Sequence, residues 1–205
     1  KLAYLPSLGR VRLRLSSKGA VLDTLKKQVD EQIEKVIPSI QDIYFGTEED
    51  QSIEFLIADK LKRLGNTLSC AESCTGGAIA TKFTSHPGAS SFFLGSAVTY
   101  AVDSKTSILG VERSIIDQYG EVSGPVASAM ALGAQKKYKS DFALATTGNA
   151  GPAKGDMVQE VGTVFIGLAS PEGVESLQFN MGNNRTRVIN KTVNQAFEIL
   201  YRALF

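Results

Sequence analysis

The chain has 205 residues, 43% of them apolar, with 22 basic side chains against 21 acidic ones. That balance gives no electrostatic case for direct nucleic-acid or anionic-membrane binding, and no apolar run approaches the roughly 20 residues that span a bilayer. Cys70 and Cys74 with a single histidine argue against a zinc site and for a reducing, cytoplasmic setting, and the length suits one ordinary domain with a small one beside it.

The chain opens on Lys1-Leu2-Ala3-Tyr4-Leu5-Pro6, a start expected of a piece cut from something longer. Residues 11–15 alternate apolar and basic side chains and predict a half-exposed strand. Val21, Leu22, Leu25, Val29, Ile33 and Val36 recur at helical spacing, and Pro38 stops that helix. A second strand is expected over 40–45 and an acidic turn over 46–50. Residues 1–48 therefore read as a small β-α-β appendage, too small to be stable alone.

A helix over 52–63 buries Ile53, Leu56, Ile57, Leu61 and Leu64, and Gly65 ends it. Next comes Thr67-Leu68-Ser69-Cys70-Ala71-Glu72-Ser73-Cys74-Thr75-Gly76-Gly77, read as a buried strand, a hydroxyl-rich turn and a helix start. Free N–H groups and the positive end of a helix dipole suit an anion there, and glycines admit close approach. A well-capped crossover would use the same residues. His86 adjoins Pro87 and reads as a turn residue at the helix end.

A strand is expected over 95–100, short helices over 103–109 and 113–119, and a long helix over 125–138 capped by Ser123. A strand over 142–147 runs into Gly148-Asn149-Ala150-Gly151-Pro152, and residues 153–160 read as a mobile polar loop. A hairpin over 161–169 and 174–180 precedes a closing helix over 183–205. The fold class is α/β: a three-layer α/β/α sandwich on a mixed sheet, preceded by the β-α-β appendage. Ligands bind such sheets beyond the strand C-terminal ends, where Ser73 to Gly77, Tyr100 onward, and Thr146-Thr147-Gly148 would converge on one pocket.

Ala71-Glu72-Ser73-Cys74-Thr75-Gly76-Gly77, Tyr100 with Lys105, Leu109-Gly110-Val111, Tyr119-Gly120-Glu121-Val122-Ser123 and Thr147-Gly148-Asn149-Ala150-Gly151-Pro152 resemble, in order and spacing, the CinA C-terminal family, which includes nicotinamide mononucleotide deamidases. The resemblance covers about residues 52–205 and implies the same three-layer fold, often as a dimer. It marks residues 1–48 as an interdomain segment and implies an upstream CinA nucleotide-binding domain. Asn149, where the family usually has an aliphatic residue, and residues 153–160 depart from its pattern.

The implied reaction hydrolyses the carboxamide of nicotinamide mononucleotide to nicotinic acid mononucleotide and ammonia, with no cofactor and no metal. It needs a nucleophile, a proton carrier and an oxyanion stabiliser. With one poorly placed histidine, a Ser–Lys pair is the remaining triad variant. On spacing alone Lys105 reads as a solvated helix residue. The resemblance instead makes Ser73 the nucleophile, Lys105 the base, and Tyr100 a proton relay or a holder of Lys105. Thr75, Gly76, Gly77 and Arg185 are candidates for the 5′-phosphate, and Thr147 and Gly148 for ribose or carboxamide. Arg185 could equally be a surface arginine, and Cys74 reads as packing.

Three other functions compete. One is a non-catalytic nucleotide-binding or regulatory module, and another an interaction domain tied to competence and DNA repair. The third is a short-chain oxidoreductase, but the gap from Tyr100 to Lys105 is one residue too long and no G-x-G-x-x-G follows a strand.

Overall fold

The alternation that predicts one strand near the start belongs to two. In the computed structural model, which describes residues 1–7, 10–44, 46–47, 52–154 and 158–205, β1 (Leu2–Ser7) pairs antiparallel with β2 (Arg10–Leu15). Leu2 lies opposite Leu15, and the ladder is closed by mutual main-chain bonds between Lys1 and Ser16. The helix α1 (Leu22–Val36) follows. The strand expected over 40–45 does not form: Ile37–Ser39 and Gln41–Ile43 are 3₁₀ turns, and Phe45 lies outside the described residues. Pro38 blocks continuation of the helix, and Ile37, Ile40 and Ile43 recur every three residues, the 3₁₀ period. The order is thus β-β-α, not β-α-β. The acidic turn falls partly on residues 48–50, outside the described set. No described residue of the unit Lys1–Asp50 is buried.

The second unit, Gln51–Phe205, carries the core. Its helices are α2 (Ile53–Leu64), α3 (Ala78–Thr84), α4 (Val102–Leu109), α5 (Arg113–Tyr119), α6 (Gly124–Tyr138) and α7 (Arg185–Leu204). Its strands β3 (Leu68–Glu72), β4 (Phe93–Val98), β5 (Phe142–Gly148), β6 (Thr163–Ser170) and β7 (Gly173–Asn180) form one sheet in the order β4-β3-β5-β6-β7. β4 and β5 run parallel to β3, while β6 and β7 are antiparallel additions. β4 begins two residues earlier than the sequence suggests. A bulge sets Leu68 against Phe93 but Ser69 against Gly95, so Leu94 is left over and Tyr100 falls beyond the strand.

The two faces of this sheet differ in side-chain size. Ala71, Ala97, Ala143, Ala145 and Ala169 face α4, α5 and α6, packing with Leu109, Ile116, Val126 and Met130. The approach is close: a Cβ on Gly167 would meet the Ala127 carbonyl, and one on Gly133 the Leu109 carbonyl. Ser123 accepts from the Val126 amide and caps α6, with Pro125 in the first turn. α2, α3 and α7 cover the other face with large side chains, including an aromatic cluster in which the Phe83 ring meets those of Phe92, Phe93 and Phe197. Among the described residues no helix is long and apolar enough to cross a membrane.

Candidate active site

The parallel strands β4, β3 and β5 deliver their C-terminal ends to one edge of the sheet. Alternation along each strand sorts the side chains there between the two helical layers. On the α3 side, Glu72 is fully buried and its carboxylate is saturated. Oε2 accepts from the Thr75 hydroxyl at 2.7 Å, the Gly77 amide at 2.9 Å and the Ile79 amide at 3.1 Å. Oε1 accepts from the Ala80 amide at 2.9 Å and the Ser96 hydroxyl at 3.4 Å. Thr75 also shares a 2.8 Å hydrogen bond with Thr146.

This corrects the phosphate cradle expected at Thr75, Gly76 and Gly77. The helix start already holds an anion, the protein's own carboxylate, and the Gly76 amide is bonded to the Ser73 carbonyl. A phosphate would meet spent donors and a like charge. The cap lies six residues before the helix, so an N-cap search at Gly77 misses it.

On the α4 side the groups are less committed. The Ser73 amide continues the ladder to the Thr146 carbonyl at 3.0 Å, but the Ser73 hydroxyl has no hydrogen-bond partner among the described residues. Lys105 is 0% exposed. It lies on the stripe of α4 that carries Val102 and Leu109, three and four residues away, and this stripe packs on the core. The solvated reading of Lys105 is thereby replaced. Its Nζ donates to the Tyr100 carbonyl at 3.0 Å and lies 3.6 Å from a Glu121 carboxylate oxygen. Burial pushes its pKa below the ordinary lysine value; the Glu121 carboxylate and, more weakly, the Cys74 thiol pull it back up. Cys74, next to Ser73, is within electrostatic reach of Lys105, yet burial pushes its own thiol up to about 12. A thiol so poorly ionised is no nucleophile at neutral pH.

Tyr100 holds Lys105 through its main chain, not its phenol. Its hydroxyl accepts from Arg185 Nη2 at 2.9 Å, while Arg185 Nη1 donates to the Gly151 carbonyl at 2.9 Å. The Tyr100 hydroxyl keeps its own proton free to donate while it accepts from Arg185. Arg185 opens α7 and bridges two of the three loops at this edge. The Thr147 hydroxyl donates to the Glu121 carbonyl at 2.7 Å, and Gly148 lies where a side chain would strike Val164 and the Thr163 carbonyl. Both are engaged in packing the edge. Asn149 is buried and staples the next loop: its amide donates to the carbonyls of Gln159 and Lys154, and its carbonyl oxygen accepts from Gly151. The polar side chain that departs from the family pattern thus has a full structural task. Of the loop over 153–160, residues 155–157 lie outside the described set.

Two residues that the sequence did not single out belong to this edge: Glu121, through Lys105 and Thr147, and Thr99, whose buried hydroxyl has no partner among the described residues. Glu121 lies in the Tyr119-Gly120-Glu121-Val122-Ser123 motif, while Thr99 needs the strand register to be seen. Two concavities of about 450 Å³ lie elsewhere, on the charged face of α1 and at the opposite end of the sheet near Pro171. His86 stacks edge-on against Phe55. Among the described residues no group of three His, Cys, Asp or Glu side chains could hold a metal ion.

Residues 50–204 match the CinA C-terminal domain. A CinA-like protein of Flavobacterium psychrophilum is 48% identical over 204 residues, which is 100% of this chain and 49% of that one. One from Cytophaga hutchinsonii is 36% identical over 99% of this chain and 48% of its own. The chain spans about half the length of the curated relatives it matches. Among solved structures, a competence/damage-inducible protein of Agrobacterium tumefaciens superposes with a TM-score of 0.68 at 34% identity, covering 77% of this chain and 99% of that one. One from Enterobacter asburiae gives 0.72 at 27% identity, covering 76% and 100%.

Proposed function

The chain belongs to the CinA C-terminal domain family, and from that premise and the strand-end geometry we propose that it is an amidohydrolase acting on nicotinamide mononucleotide through Ser73 and Lys105. The observation that carries the reading is a fully buried lysine on the same side of the sheet edge as an uncommitted serine hydroxyl. A lysine desolvated in this way is primed to lose its proton, which is what a base toward serine requires.

The steps balance as follows. Neutral Lys105 takes the Ser73 hydroxyl proton as Oγ adds to the carboxamide carbon. The C–N bond breaks, and ammonia leaves with the proton that Lys105 carried, leaving a nicotinoyl ester on Ser73. Water adds to that ester as Lys105 takes its proton, the C–O bond to Ser73 breaks, and Lys105 returns the proton to Oγ. Lys105 keeps one N–H on the Tyr100 carbonyl and offers its lone pair to the Ser73 hydroxyl for the first transfer. The 5′-phosphate falls to Arg185, whose present partners are two neutral oxygens that a charged ligand outcompetes.

As part of the same reading, the domain works in the cytoplasm as a homodimer, downstream of a CinA nucleotide-binding domain, recycling pyridine nucleotide. One observation favours a second reading, a nucleotide-binding module without turnover: Lys105 is held by Tyr100 and Glu121, not by Ser73. Ammonia release from nicotinamide mononucleotide separates the two. Ser73→Ala is expected to lower turnover by about a thousandfold or more, with an unchanged circular dichroism spectrum. Wild-type turnover in that variant rejects Ser73 as the nucleophile.

A further inference from the structure

The register at the strand ends sets three hydroxyl residues in a row. Glu72 pairs with Val98 of β4 and with Thr146 of β5. The ladder runs one step further, the Ser73 amide donating to the Thr146 carbonyl at 3.0 Å and the Thr99 amide to the Glu72 carbonyl at 2.8 Å. Ser73 is therefore level with Thr99 on one side and Thr147 on the other, strands about 4.8 Å apart. Alternation from Ala71, Ala97 and Ala145, all packed beneath α4 to α6, turns the three side chains to the face that carries Lys105. Thr147 spends its hydroxyl on the Glu121 carbonyl. Thr99 is 0% exposed, and its Oγ1 has no hydrogen-bond partner among the described residues. A buried hydroxyl without a partner is rare in a folded protein and calls for a reason.

The chemistry of a lysine base supplies one. A neutral amine has two N–H donors and one lone pair. With one N–H anchored, the lone pair can take either of the two remaining staggered positions, and a second acceptor selects the one that faces Ser73. The Tyr100 carbonyl is one acceptor. Glu121 is a poor second, because a carboxylate favours the ammonium that has no lone pair to offer. The other titratable group facing Lys105 is the Cys74 thiol, a weak acceptor. Resting on the Ser–Lys reading, we propose that Thr99 is a positioning residue whose hydroxyl accepts the second N–H of neutral Lys105 and so directs its lone pair at Ser73. Thr99 does not touch the substrate, and its own proton stays on Oγ1.

The test is steady-state kinetics of the whole chain on nicotinamide mononucleotide, with ammonia as the readout. Thr99→Val keeps the shape and removes the hydroxyl. It is expected to lower kcat about ten- to a hundredfold, the cost of a misaimed base, with KM unchanged. Thr99→Ser restores the hydroxyl and is expected to recover most of kcat. If the valine variant does not fold, Thr99→Ala against Thr99→Ser carries the same comparison. An active wild type whose Thr99→Val keeps its kcat, or loses KM instead, overturns the positioning role alone. A serine variant as slow as the valine one does the same. A wild type that releases no ammonia overturns the amidase reading and this role with it.

Discussion

The edge where β4, β3 and β5 end has two sides, and they are built on opposite principles. Toward α3, the Glu72 carboxylate receives five donors, and Thr75, Thr146 and Ser96 are tied into the same network. Toward α4, a lysine is buried against a carbonyl and the Glu121 carboxylate, while Ser73 and Thr99 have hydroxyls without partners among the described residues. Both sides are polar and both are buried, so burial alone does not mark function. Satisfaction does: a closed network holds a fold, whereas groups left short of partners are costly unless something else uses them.

Lys105→Met strains that contrast most. On the Ser–Lys reading, turnover is expected to fall about a thousandfold or more, because the variant loses the proposed base. The thermal midpoint at pH 7 is expected to hold or rise. A lysine whose folded pKa is lowered destabilises the fold below that pKa, and the cost fades as pH climbs toward the unfolded lysine value. The wild type should therefore gain stability relative to Lys105→Met as pH is raised from 7 to 10, which calorimetry reads directly. A variant several degrees less stable at pH 7 would mean that Lys105 is structural.

Glu72→Gln tests the opposite side. It replaces an acceptor oxygen by a donor facing main-chain N–H groups. A loss of about 2–4 kcal/mol in urea unfolding is expected, from weakened charge-assisted bonds and an unpaired donor. Unchanged stability would remove the distinction between the two sides.

Glu121→Gln should have the smallest effect and the most diagnostic one. Glu121 pulls the Lys105 pKa upward, so its neutralisation is expected to move the rising limb of the kcat profile to lower pH. An unmoved limb would detach Glu121 from the base.

The sequence made most of the elements legible and half of the site. Periodicity placed the long helices within a residue or two, because their apolar stripes are long. The start of the chain misleads because β1 carries Pro6 within it and is recognisable only through its partner, while the isoleucines after α1 imitate a strand. Ser73 and Lys105 came from a family pattern, yet the burial of Lys105 could have been read from Val102 and Leu109 on the same helical stripe. Glu72 was in plain view but could not be recognised as the cap, since its acceptors reach the helix across a turn. Thr99 gave no signal at all: its neighbourhood with Ser73 exists only once β3 and β4 are in register.

The small-residue side of the sheet bears on how this protein can change. Where the phenylalanine cluster fills the α2, α3 and α7 layer, one bulky side chain can be exchanged for another at modest cost. Where alanines and glycines let α6 lie against the sheet, any added methylene lifts a helix. The lifted layer includes α4, and with it the lysine. Substitutions are thus filtered unequally: one half of the core can drift in composition, while the half beneath Ser73 and Lys105 is confined to a few residue types by sheer lack of space.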